Sequence, residues 1–235
     1  MANVIECTGV SKAYGGFFAL DEVTVAVPDG GGIVGLLGPN GSGKTTLIKI
    51  LAGLLQPTSG EVRICGHKVG TETKALVSYL SDCYALNQGF TVEEELTYFS
   101  DFFFDFNREK AERMLRELAV KRDAKIKTLS KGTKEKLALI LTLSRNAKLY
   151  VLDEPIAGVD PAARQYVLDT ILANRSENST ILLSTHLISE IEEYFDYVLF
   201  LKEGHIVLEG KTEEVKANAG KSVNELFKEV FKWMV

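Results

Sequence analysis

Long apolar runs are missing from this sequence. The most apolar stretch, Leu47 to Leu55, is short and contains Lys49, whereas a membrane-spanning helix needs ~20 apolar residues. The start, MANVIECTGV, has no basic segment followed by an apolar stretch, so no signal peptide is expected. Any membrane role is expected to pass through a partner. Cysteine is scarce too. Cys7, Cys65 and Cys83 form no CxxC pair, and an odd number at wide spacing gives neither a disulfide framework nor a zinc signature. Small buried hydrophobes in a reducing compartment are the expectation for them. Basic charge is not in excess: 27 Lys and Arg against 32 Asp and Glu leave −5. Coating nucleic acid needs the opposite balance, so no nucleic-acid partner is expected. Hydrophobic residues make up 46%, enough apolar material to exclude a disordered chain. The length of 235 residues fits one large domain or a domain with a subdomain.

Short apolar runs alternate with helical patterns along the chain. Val4 to Thr8 and Val23 to Val27 have strand character, and the second alternates as a half-buried strand does. Ile33 to Leu37 is a continuous apolar run, the pattern of a strand buried on both faces. Thr45 to Leu55 has helical spacing, ended by Gln56-Pro57-Thr58-Ser59-Gly60. Glu61 to Cys65, Leu76 to Leu80, Leu149 to Leu152 and Ile181 to Ser184 read as further strands. From Asp82 to Leu129 the character becomes helical: Thr91 with Glu94 three residues on is a capping-box pattern, and Arg108 to Val120 carries Met114, Leu115 and Leu118 on one face. Pro161 to Leu172 reads as a helix. Tyr197 to Leu201 and Ile206 to Leu208 form a closing hairpin around Glu203-Gly204. Such alternation implies an α/β fold with a mostly parallel sheet and helices on its faces.

Gly38-Pro39-Asn40-Gly41-Ser42-Gly43-Lys44-Thr45 fits GxxxxGK[ST], with a buried strand before it and a helix after it. Glycines let the backbone curl so that successive N–H groups point at phosphate oxygens. The positive end of the helix dipole adds to the attraction. Lys44 reaches the terminal phosphates of a triphosphate as a mobile charge, the Thr45 hydroxyl is a candidate Mg²⁺ ligand, and Thr46 completes the nucleotide-binding set. Asp153 and Glu154 are adjacent carboxylates at the end of a buried strand, where ligands of parallel sheets collect. Asp153 suits a Mg²⁺ anchor. Glu154 suits the aiming of a water at the terminal phosphate. His186, after the strand Ile181 to Thr185, is placed to hydrogen-bond that phosphate and hold Glu154. His67 and His205 stand beside glycines and are expected to be solvated.

Further motifs, in this order and spacing, carry a resemblance. Leu129-Ser130-Lys131-Gly132-Thr133 is similar to the LSGGQ signature, and it precedes a helix from Lys134 to Leu143. Ala157-Gly158-Val159-Asp160 is similar to a D-loop, Ser184-Thr185-His186 to a switch-histidine region, and Tyr14 to the aromatic on which adenine stacks. Over nearly its full length the chain resembles the ATP-binding subunits of ABC transporters. The resemblance implies a P-loop NTPase core with a mostly parallel sheet, an N-terminal antiparallel β subdomain and a helical subdomain. On that basis residues 1–235 form one domain: 1–81 and 131–210 the catalytic core, 82–130 the helical subdomain, and 211–235 a helical tail. ATP and Mg²⁺ are the implied cofactors. Two subunits, as a homodimer or heterodimer, are expected to pack head to tail, with Ser130, Lys131 and Gly132 of one completing the site of the other. Asp160 takes the D-loop position. Separate membrane-spanning subunits are the implied partners, on the cytoplasmic face of the membrane, and the degenerate signature and short chain resemble the efflux branch.

Departures from the family pattern fall at Asp82, where glutamine is usual, and at Lys131, Thr133 and Ala157. Asp82 takes the position of a further Mg²⁺ ligand, but an ionised Asp only accepts hydrogen bonds. Lys131 has two readings, a cation near the partner's ATP or a solvated side chain. The aromatic segment Phe99 to Phe106 also has two, a docking surface for a membrane subunit or helix core. The tail Val223 to Trp233 is expected to pack on its own domain, with a twin or the membrane partner as the other readings. Two rival functions remain: a soluble ABC ATPase that remodels nucleic acid or ribosomes, and an ATP-gated scaffold that does not turn over.

Overall fold

The computed structural model describes residues 3–30, 32–81, 86–156, 159, 161–176 and 178–232. Asp82, Cys83, Ala157, Asp160 and Trp233 therefore lie outside the described residues. β1 (Asn3–Tyr14) and β2 (Phe17–Pro28) form a hairpin far longer than the two apolar runs predicted within it. Cross-strand pairing extends it to the polar tip, where Tyr14 faces Phe17 across Gly15-Gly16. β3 (Gly32–Leu37) is buried throughout and leads into the Gly-rich loop and α1 (Lys44–Leu51). α1 ends before the predicted Leu55 because Gly53 takes φ 69°, a left-handed stop that glycine adopts freely.

β4 (Ser59–Ile64) and β5 (His67–Lys68) follow. Next come α2 (Thr71–Leu76), which sequence periodicity missed, and β6 (Val77–Leu80). α3 (Val92–Phe102) opens with the predicted capping box: the Thr91 hydroxyl accepts from Glu94 N–H, and Glu94 accepts from Thr91 N–H. α4 (Arg108–Glu117) stops short of Val120, with Ala119 at φ 55°. α5 (Lys131–Leu143) starts before the predicted Lys134 because the Ser130 hydroxyl caps Thr133 N–H. β7 (Leu149–Asp153), α6 (Pro161–Asn174), β8 (Thr180–Thr185), the short α7 (Ile188–Ile191), β9 (Tyr197–Lys202) and β10 (His205–Lys211) complete the core. α8 (Thr212–Ala219) and α9 (Val223–Val230) close the described chain.

The strands form two sheets: an antiparallel one in the order β2-β1-β4-β5, and a larger one in the order β10-β9-β3-β8-β7-β6. The larger is parallel except for the β9–β10 hairpin, which turns at Glu203-Gly204 as predicted. Period-two alternation divides its residues between two cores. Val34, Leu36, Val151 and Leu182 face α1 and the antiparallel sheet. Ile33, Leu37, Leu152 and Leu183 face the helical side. Register then places the site. Leu37 pairs with Thr185 and Asp153 with Ser184, so the Gly-rich loop, Glu154 and His186 emerge side by side at one end of the sheet.

Arg145 joins the helical region to this core. It is 5% exposed, pairs with Asp105 at 3.0 Å, donates to the Val77 carbonyl at 2.8 Å and lies 4.1 Å from the centroid of the Phe103 ring. The aromatic segment divides: Phe99 and Phe106 pack against the core, while Tyr98, Phe102 and Phe104 are exposed. The tail packs on its own chain, where Phe227 and Phe231 close around Phe200 of β9. Cys7 is buried and Cys65 is half-buried. His67 and His205 are exposed as expected, beside Glu72 and Asp21.

Candidate functional site

A cavity of about 330 Å³ opens at the carboxyl end of the sheet. Asn40, Gly41, Gly43, Lys44, Thr45 and Thr46 line it from the loop and α1, and Asp153 and Glu154 from the end of β7. The loop is packed too closely for side chains at two positions. A Cβ on Gly38 would collide with the Leu201 carbonyl, and one on Gly43, at φ 109°, with the Ala19 carbonyl. Gly43 caps α1 without a side-chain hydrogen bond. The first N–H groups of the helix therefore have no side-chain acceptor, the arrangement that receives an anion. Gly38, Pro39 and Ser42 do not line the cavity; Gly38 and Ser42 are buried and Pro39 is half-buried. The Lys44 ammonium donates to the Gly38 and Pro39 carbonyls at 2.7 and 3.0 Å. Burial pushes its pKa below the ordinary lysine value, and the Glu154 and Asp153 carboxylates pull it part of the way back. An anion in the cavity would favour the charged form further.

The carboxylates differ in setting. Asp153 is 2% exposed. One of its oxygens accepts from the Ser184 hydroxyl at 2.6 Å, and Oδ2 is buried with no partner among the described residues. Glu154 leaves the strand at φ 50°, a left-handed conformation that costs a non-glycine residue ~1–2 kcal/mol. Its N–H donates to the same Ser184 hydroxyl at 3.0 Å, and its Oε2 lies 2.9 Å from Nδ1 of the half-exposed His186. Ser184 thus fixes both acids through one oxygen. Sequence reading placed Ser184 in the switch region without a role; the available signal was its strand-end position two residues before His186.

An orphaned buried carboxylate oxygen and the Thr45 hydroxyl on one cavity form a sparse, hard-oxygen donor set. That set fits Mg²⁺, which keeps most of its waters or substrate oxygens and takes one or two protein ligands. The other predicted residues lie elsewhere. Tyr14 is at the hairpin tip, half-exposed, with Lys12 Nζ 5.4 Å from its ring centroid. Ser130, Lys131 and Gly132 are exposed and do not line this cavity, so Lys131 is solvated within the single chain. Asp82 and Asp160 lie outside the described residues.

The sequence profile of the ABC transporter family matches residues 20–157, which include the Gly-rich loop, the exposed Ser130 segment and the acid pair. The chain belongs to the ABC transporter ATP-binding family. As a member it is a nucleotide-binding ATPase subunit of a transporter. The daunorubicin/doxorubicin resistance ATP-binding protein DrrA of Streptomyces peucetius is 32% identical over 95% of this chain and 70% of its own length. The Nod factor export ATP-binding protein I of Cupriavidus metallidurans is 31% identical over 97% of this chain and 78% of its own. A solved ATP-binding subunit of an ABC transporter superposes with a TM-score of 0.82 at 29% identity, covering 96% of this chain and 98% of that one. A dimeric ATP-binding cassette in a post-hydrolysis state with ADP and Pi shares the fold, with a TM-score of 0.76 at 22% identity, over 88% of this chain and 98% of that one. Among the described residues of this ABC subunit, no helix is long and apolar enough to cross a membrane.

Proposed function

We propose that this ABC subunit hydrolyses Mg-ATP in the cavity between the Gly-rich loop and the acid pair, and that the hydrolysis powers export. One observation carries the reading: Glu154, held by Ser184 and His186, shares a cavity with Lys44 and Thr45. The loop N–H groups and α1 receive the phosphates, while Lys44 turns from its own loop carbonyls to the terminal phosphate oxygens. The Thr45 hydroxyl and the free oxygen of Asp153 hold Mg²⁺, with Asp82 as a further candidate. When bound there, Mg²⁺ neutralises charge on the phosphate oxygens. Glu154 accepts a hydrogen bond from the attacking water and aims it in line with the bond to be cut. His186 keeps the Glu154 carboxylate in place. Tyr14 stacks on the base.

Ser130 and Gly132 sit at the N-terminus of α5, on the surface, where a second subunit's ATP can meet them. That exposure supports a head-to-tail pair. Membrane-spanning chains, on the cytoplasmic side, dock on the exposed rings of Tyr98, Phe102 and Phe104. The name of the Nod factor export relative supports the direction. Lys44→Ala tests the cavity assignment. Equilibrium binding of ATP is expected to weaken by at least ~100-fold, a loss of ~3 kcal/mol for charge-assisted contacts to phosphate. Tight ATP binding by that variant would contradict the assignment.

A further inference from the structure

We propose that Phe17 is a second ring, beside Tyr14, of the platform that receives the nucleotide base. The inference rests on the nucleotide reading of the cavity given above. The walls of that cavity come from the loop, α1 and the acid pair, and Ala19 is its contribution from the β1–β2 hairpin. Among the described residues no aromatic ring lines it, so it fits phosphates and leaves the base to lie beyond. Going back from Ala19 along β2 leads to the hairpin tip, and Phe17 lies two residues earlier, roughly 7 Å along the strand.

Strand register decides which rings turn that way. Residues paired across antiparallel strands present their side chains on the same face. Tyr14 pairs with Phe17, and Lys12 pairs with Leu20 after a bulge at Ala19. Lys12 reaches over the Tyr14 ring, so Lys12, Tyr14, Phe17 and Leu20 share one face. That face is turned toward the phosphate loop, because a Cβ on Gly43 would lie 3.0 Å from Leu20 Cδ2. Phe18 pairs with Ala13 instead and falls on the opposite face.

Exposure makes the same point energetically. Phe17 is 65% exposed, and a phenyl ring left in water forgoes much of the ~2–3 kcal/mol that burial would return. A purine stacked at the tip would cover it. Ring faces stack on any base without reading its hydrogen-bond edge. Phe17 therefore adds affinity for nucleosides in general and gives little discrimination between adenine and guanine.

Three ligands separate the base from the phosphates: ATP, GTP and inorganic tripolyphosphate, titrated by calorimetry against wild type, Phe17→Ala and Phe18→Ala. Phe17→Ala is expected to weaken ATP and GTP about tenfold, within the range of base–aromatic stacking, and to leave tripolyphosphate unchanged. Phe18→Ala is expected to leave all three unchanged, and Phe17→Tyr to restore ATP binding. The proposal is overturned if Phe17→Ala binds ATP as wild type does, if it weakens tripolyphosphate in proportion, or if Phe18→Ala weakens ATP equally. A wild-type chain that binds none of the three overturns the cavity reading itself, and this inference with it.

Discussion

Asp153 and Glu154 are neighbours in sequence, yet they stand in different settings because β7 ends between them. Asp153 is still in the strand, buried, with one oxygen bonded and one free. Glu154 has already turned, in a left-handed conformation, toward His186. The Ser184 hydroxyl holds the turn by giving its proton to Asp153 and accepting the Glu154 N–H. Removing it leaves both groups short of a partner in a site where such a loss costs ~1–3 kcal/mol. Ser184→Ala is therefore expected to lower kcat by roughly 10- to 100-fold, the usual cost of losing an outer partner of a metal-bound site, with a smaller change in KM for Mg-ATP. Ser184→Thr should recover most of the rate. Steady-state phosphate release measures both, and an unchanged kcat in Ser184→Ala would remove Ser184 from this positioning role.

Joining the helical region to the sheet falls to Arg145 at the end of α5. Its guanidinium binds Asp105, the Val77 carbonyl and the Lys74 and Ala75 carbonyls at the C-terminal end of α2, with the Phe103 ring against it. Arg145→Met breaks the buried pair from one side, which costs ~3–5 kcal/mol because Asp105 is left buried without its cation. Urea denaturation should show that loss as a lower midpoint, and a loss under ~1 kcal/mol would mean that the elements hold together without it. None of this is readable in the sequence, where Arg145 and Asp105 are two charges 40 positions apart. What was legible is local. The phosphate loop combines its own strand, glycines and helix start within residues 33–51. The Thr91–Glu94 capping box spans one helical turn. Hydrophobic periodicity also found the buried strands, because both of their faces are covered. It missed α2, whose buried face, Thr73 alone, is too narrow to give a helical period. It also shortened β1 and β2, whose outer ends are held by pairing and carry polar or exposed residues. Ser184 was visible as a strand residue, but its partner is set by sheet register, which only the folded chain displays.

The Ser130 segment is exposed and does not line the cavity of its own chain, so on the proposed reading one subunit holds only part of the site. Mixing two inactive variants tests whether the partner supplies it. Lys44→Ala and Ser130→Ala are each expected to lose hydrolysis as homodimers. Mixed in equal amounts they form one site with both parts intact, and part of the rate should return; no recovery in demonstrated mixed dimers would contradict head-to-tail pairing. On the proposed reading, ATP would hold such a pair closed and cleavage of its last phosphate would release it. Glu154 decides between those states, so phosphate release by wild type and Glu154→Gln, followed alongside subunit association at saturating Mg-ATP, is the most direct measurement. Loss of the general base is expected to slow release by ~10²–10⁴-fold while ATP-bound dimers accumulate. Release at the wild-type rate from Glu154→Gln, with no gain in dimer, would place the chemistry on some other group and contradict the assignment of this cavity.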